Sequence, residues 1–200
     1  MPKQFNTAGP CKSDIHYMLS PTVRLPELKA LIDGQNYFVI HAPRQTGKTT
    51  AMMTLAQELT ESGDYTAIVL SVETGAAFKH DPILAQKYII RNWISTTKIL
   101  LPADLQPPKL RDIQEEMGLI DPNDLDITIY LQSWAVTSPR PLVIFLDEID
   151  SLEEETLITV LRQLRAGFPL RPRGFPHSLA LIGVRDVRDY KVTSGGSARL

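Results

Sequence analysis

Residues 37–50 read YFVIHAPRQTGKTT: four apolar residues, a short polar loop, then Gly47, Lys48 and Thr49 ahead of a helical pattern. The apolar run reads as a buried strand. Met52, Leu55, Ala56 and Leu59 then recur at helical spacing, and Gly63 supplies a stop. Strand, loop and helix in that order are the context in which Gly-x-x-x-x-Gly-Lys-Ser/Thr forms a phosphate cradle. The last three positions of that pattern are filled, and the first is Ala42 instead of glycine. A methyl group there is harmless unless the position needs positive φ.

The chemistry expected of this loop follows from its geometry. Successive backbone N–H groups from Gln45 to Thr49, at the positive end of a helix, form a concave site for phosphate oxygens. Gly47 lets the backbone come close, Lys48 brings a mobile charge to the β and γ oxygens, and the Thr49 hydroxyl suits Mg²⁺. The expected nucleotide-binding residues are therefore Ala42, Pro43, Arg44, Gln45, Thr46, Gly47, Lys48, Thr49 and Thr50. The bland alternative is a strand-to-helix turn with an exposed lysine.

Three further apolar runs, YTAIVLSV at 65–72, LVIFL at 142–146 and LALIGV at 179–184, are nearly continuous, as strands buried on both faces of a parallel sheet are. Between them lie helical patterns. Asp81 and Pro82 open a helix of about five turns. Residues 101–124 read as an irregular connection with a short helix, and a further helix is expected near 125–137. Ser151 and Glu154 have the spacing of a capping box, with Leu157, Leu161, Leu164 and Phe168 on one face beyond it and Gly167 and Pro169 closing the helix. The expectation is an α/β fold, a parallel β-sheet sandwiched by helices. Residues 1–24 read as a lead-in segment, 25–190 as one domain and 191–200 as a loose tail.

A second acidic site is expected where PLVIFLDEID ends a buried strand. Asp147 would hold Mg²⁺, and Glu148 would act as general base toward water. Asp150 reads as a supporting or surface group. A solvated acidic turn is the competing reading.

With both motifs in place, the chain resembles P-loop NTPases of the AAA/STAND-like ATPase type, with APRQTGKT as Walker A and LVIFLDE as Walker B. It is similar to bacterial AAA-like ATP-binding domains, whose starts carry an FNTAGP-like stretch. The resemblance covers about residues 5 to 190 and implies the additional-strand P-loop fold, with ATP and Mg²⁺ as ligands. Glu148 directly after Asp147 favours ATP hydrolysis over phosphoryl transfer to a small molecule. The resemblance also implies a polar sensor after the last strand, here Arg185 beside Asp186, where relatives often carry Asn, Thr or Ser. Pairing of Arg185 and Arg188 with Asp186 and Asp189 is the alternative. It further implies adenine packing near Tyr17 and Arg24, for which a plain domain-edge role is the alternative, and a trans-acting arginine among Arg162, Arg165, Arg171 and Arg173 if subunits assemble. A solvated face is the other reading of that cluster.

No fifth strand or helical lid is recognisable, so the chain reads as a fragment or as a reduced domain that needs a partner. Two functions stay open beside hydrolysis: a nucleotide-gated binding or signalling module with little turnover, and a small-molecule kinase. A homo-oligomer or a protein partner fits the resemblance. Nucleic acid is a partner suggested by the family alone, because 21 basic against 23 acidic residues, a net charge of −2, give it no support.

Cys11 is the sole thiol, which excludes an intrachain disulfide and a cysteine zinc site. The start MPKQFNTAGPCKSD lacks a signal-peptide core, and no apolar run approaches the ~18 residues needed to span a bilayer. A soluble, cytoplasmic protein without a membrane partner is expected. His16, His41, His80 and His177 lack metal-ligand spacing, Trp93 and Trp134 read as core aromatics, and Glu73, which follows the second strand, reads as a surface residue with a place facing the site as the alternative.

Overall fold

All four apolar runs become strands in the structure, a computed structural model that describes residues 3–5, 15–17, 25–121 and 124–184. They are β1 (Tyr37–His41), β2 (Thr66–Ser71), β3 (Leu142–Asp147) and β4 (Ser178–Gly183). Their order in the sheet is β1-β4-β3-β2, and every neighbouring pair is parallel. The last of these strands in sequence therefore lies between the two that carry the candidate motifs. The register sets His41 opposite Gly183 and Ser71 opposite Asp147.

Six helices flank the sheet among the described residues: α1 (Glu27–Asp33), α2 (Lys48–Glu61), α3 (Pro82–Leu100), α4 (Leu110–Met117), α5 (Ile127–Thr137) and α6 (Glu154–Gly167). Side chains alternate across a strand, so β3 feeds two cores. Val143 and Phe145 pack with Leu28 and Ile32 of α1 and with Met52, Leu55 and Leu59 of α2. Ile144 and Leu146 pack on the other side with α3, α5 and α6, where Trp93, Tyr130 and Trp134 are fully buried. Helices on both faces explain why all six residues of β3 are buried. Rossmann-like and P-loop-type folds share this arrangement. No helix among the described residues is long and apolar enough to cross a membrane.

Local chemistry sets the helix starts. The Asp81 carboxylate accepts from Leu84 N at 2.9 Å with Pro82 at the first helical position, and Asp126 does the same for Ile129 N at 2.8 Å. A short 3-10 turn at Ala103–Leu105 and α4 punctuate the 101–124 connection.

Three expectations change. The Ser151–Glu154 capping box does not form, because Ser151 ends a 3-10 turn, Glu153 occupies the cap position and no side chain caps α6. The first turn of α6 is instead tied to the loop before α3, where Thr156 N donates to Lys79 O at 3.1 Å and the Thr156 hydroxyl to Phe78 O. Phe168 lies outside the core: α6 ends at Gly167, and the ring packs edge-on against Tyr37 at the surface. β1 is also less buried than its apolar run suggests, because it is an edge strand among the described residues and Val39 is 40% exposed. The helix α1 was not anticipated, although Leu28 and Ile32, four residues apart, are its buried contacts.

Candidate functional site

The loop between β1 and α2 is shaped by two left-handed residues, Gln45 at φ 61° and Gly47 at φ 83°. A Cβ added at Gly47 would meet nothing within 4 Å, so glycine is needed there for its backbone conformation and not for space. Ala42 keeps a negative φ, so its methyl group brings no backbone strain. Ala42 N donates to Gly183 O at 3.4 Å, which anchors the loop to β4. The loop closes on itself through the Thr46 hydroxyl, which donates to Pro43 O at 2.9 Å.

Lys48 opens α2, whose N-terminus no side chain caps. Its Nζ donates to Ala42 O at 2.5 Å and Pro43 O at 2.9 Å, so the ammonium is folded back over the loop. Arg44, Gln45, Thr46, Gly47 and Thr49 are exposed, whereas Ala42 and Thr50 are half-buried. An uncapped helix end with a lysine laid across the preceding loop is chemically suited to an anion.

β3 brings the acidic pair to the same place. The Thr49 hydroxyl donates to Asp147 Oδ2 at 2.6 Å, and Glu148 N donates to Asp147 Oδ1 at 2.9 Å. Asp147 is 6% exposed at the end of β3. Glu148 is left-handed at φ 61°, which turns its side chain out of the strand path toward β2. There Ser71 Oγ donates to Glu148 Oε2 at 2.6 Å and accepts from Glu73 N at 3.1 Å. Burial raises the Glu148 carboxyl above the ordinary glutamate range. The Ser71 hydrogen bond works against that rise, and the neighbouring Glu73 and Asp147 charges add to it.

Thus Lys48, Thr49, Asp147 and Glu148 gather at the carboxyl ends of β1, β3 and β2, while Arg185 lies outside the described residues, as do Asp186, Arg188, Asp189, Arg24 and Cys11. Asp150 is half-buried in the short turn after Glu148. Tyr17 packs on Phe5 with ring centroids 5.2 Å apart. Among the four arginines, Arg171 is engaged structurally, with its guanidinium 3.4 Å from the Phe168 ring centroid and bonded to Gln35 O. Arg162, Arg165 and Arg173 are exposed. His177 is buried with Nε2 3.0 Å from Ile32 O.

Ser71 is the residue that sequence reading missed. Its signal was a polar side chain at the carboxyl end of a buried parallel strand, where open α/β sheets gather functional groups. Glu73 is exposed, and its charge lies near enough to raise the Glu148 carboxyl, so both of its readings have support.

Among the described residues no group of three or more His, Cys, Asp or Glu is arranged to hold a metal. That leaves the Thr49 hydroxyl and the Asp147 carboxylate, two hard oxygen donors in contact. Mg²⁺ is held by one or two protein oxygens with the rest from phosphate and water, so this donor set fits it. No protein-family model matches the chain, and no match is found among curated proteins.

Proposed function

We propose that this chain binds ATP with Mg²⁺ and hydrolyses it, as a P-loop NTPase of the additional-strand type. The observation that carries this reading is the 2.6 Å contact between Thr49, next to Lys48, and Asp147, across an interposed β4. A bland strand-to-helix turn gives no reason for a second strand to bring a buried carboxylate to that position.

In this reading the loop N–H groups and Lys48 hold the β and γ phosphate oxygens, for which Lys48 must leave the carbonyls of Ala42 and Pro43. Thr49 and Asp147 would hold Mg²⁺, which would supply positive charge beside the phosphate oxygens. Glu148 accepts a proton from the attacking water. Its raised affinity for protons, which burial causes, makes it a better base than an ordinary carboxylate.

A second reading, nucleotide-gated binding with little turnover, is favoured by one observation: the Glu148 carboxylate is already engaged by Ser71. Turnover would then wait until that hydrogen bond is released.

Calorimetric titration with ATP, with and without Mg²⁺, tests the proposal on the wild-type chain and on Lys48→Ala, with phosphate release followed on the same samples. Mg²⁺-dependent binding that weakens at least about tenfold in the variant supports it; that is about 1.4 kcal/mol of lost charge-assisted contact. Absence of binding by the wild-type chain overturns it. Tight binding without phosphate release selects the second reading.

A further inference from the structure

The chain buries two tryptophans, and their indole N–H groups end in different places. Trp134 Nε1 donates to Leu105 O at 3.1 Å, in the 3-10 turn of the 101–124 connection. Trp93 Nε1 donates to Ser71 O at 2.8 Å, at the carboxyl end of β2. Both rings are fully buried, and a buried indole N–H needs an acceptor. Any carbonyl in reach would serve that need. The one that Trp93 takes belongs to the residue whose hydroxyl holds Glu148.

Ser71 is fixed at its backbone and at its side chain. Val72 N reaches Asp147 O, so the backbone groups of Ser71 point away from β3, and its carbonyl meets α3. On the side chain, Oγ accepts from Glu73 N at 3.1 Å and donates to Glu148 Oε2 at 2.6 Å. Because the Glu73 N–H occupies a lone pair, the hydroxyl hydrogen is left to point at the carboxylate. Glu73 opens a 3-10 turn, Glu73–Gly75, and α3 holds that turn as well. A Cβ added at the buried Gly75 would lie 2.7 Å from Ile89 Cδ1 and 3.0 Å from Leu152 Cδ2. Ile89 and Trp93 stand four residues apart, hence on one face of α3. That face sets both the carbonyl of Ser71 and the N–H that orients its hydroxyl, and Tyr130 backs the Trp93 ring at 6.0 Å between centroids.

We propose that Trp93 is a positioning residue for Glu148, acting through Ser71, so that α3 sets the direction of the base. This rests on the reading of Glu148 as the base toward water. The hydrogen bond from Ser71 engages Oε2, which leaves Oε1 to take the proton of the attacking water in a fixed direction. Trp93 is fully buried and touches no nucleotide itself. Losing its N–H therefore loosens the carboxylate and leaves the Lys48 loop and the Thr49–Asp147 contact as they are.

The test replaces the Trp93 indole in the full chain, at that site alone, with benzothiophene, which keeps the two fused rings and exchanges N–H for sulfur. Far-UV circular dichroism establishes folding, calorimetry with ATP and Mg²⁺ gives Kd, and phosphate release gives kcat. Kd is expected to stay within about twofold while kcat falls about tenfold, the mark of an interaction that serves the chemical step. Ser71→Ala should lower kcat by a similar factor, and the two changes together should do no more than either alone, because both release the same contact. A second readout needs no turnover. The chain has two indole N–H resonances, and Glu148→Gln should displace that of Trp93 and leave that of Trp134 in place. A folded analogue with unchanged or higher kcat, a loss seen only in Kd, a multiplicative double loss, or a Trp93 resonance indifferent to Glu148→Gln overturns the assignment. Any of these beside wild-type phosphate release leaves the hydrolysis reading standing, whereas a wild-type chain that releases no phosphate overturns that reading and the role of Trp93 with it.

Discussion

Thr49 and Asp147 are joined hydroxyl to carboxylate at 2.6 Å, which ties the first turn of α2 to the end of β3 across the width of β4. Thr49→Val keeps the volume and removes the donor, leaving a nearly buried carboxylate oxygen without its partner. The expected cost is about 1–3 kcal/mol in urea denaturation. Asp147→Asn keeps an acceptor for the hydroxyl, so it should lose less stability while still losing the Mg²⁺-dependent part of ATP binding. Equal loss of stability in both variants would count against this hydrogen bond as the cause.

Ser71 and Glu73 should move the pH dependence of turnover in opposite directions. Glu148 is raised by burial first, lowered by the Ser71 hydrogen bond and raised by the Glu73 charge. Ser71→Ala removes the lowering contact, so the acid limb of kcat/KM against pH should shift upward. Glu73→Gln removes a raising charge, so the same limb should shift downward. Parallel shifts, or none, would rule out Glu148 as the titrating base.

His177 makes the folded chain sensitive to acid. Burial lowers its proton affinity below the ordinary 6.5, and this outweighs the opposing Ile32 carbonyl bond and Asp33 charge. The neutral ring therefore favours the folded state. Its stabilising contribution is complete above pH about 6.5 and falls as the pH drops toward the lower folded value. Chemical denaturation between pH 7.5 and 5 should show this decline in the wild-type chain and a shallower one in His177→Phe. Identical slopes would assign the acid sensitivity elsewhere.

Two glycines should fail in different assays. At Gly167 a new Cβ would lie 2.4 Å from the fully buried Phe175 ring, so Gly167→Ala should lower stability by about 1–3 kcal/mol. At Gly47 nothing stands within 4 Å, but φ is 83°. Gly47→Ala should cost about 1–2 kcal/mol locally and be felt mainly as weakened ATP binding. Thermal melts and calorimetry on the two variants distinguish these outcomes.

The strands and most helices were legible because their signals are local: apolar runs, helical spacing, and the Asp81 cap. Lys48, Thr49, Asp147 and Glu148 were legible because each sits at a fixed offset from the end of such a run. Ser71 was not, since its role depends on the pairing of β2 with β3, which no local pattern encodes. The capping box failed for a related reason: Lys79 and Phe78, remote in sequence, already satisfy groups in the first turn of α6. Phe168 and Val39 carry core-like side chains, and only the strand order reveals that they border the outermost of the described strands.

The interposed β4 also orders events during synthesis. β2 and β3 can pair as soon as β3 has emerged, and α2 can already cover one face of them. β1 has no described neighbour except β4. Until Ser178–Gly183 leaves the ribosome, the strand beneath the Gly47–Lys48 loop lacks its described neighbour, so nascent chains stalled before that point should hold β1 less protected against proteolysis than the full chain does.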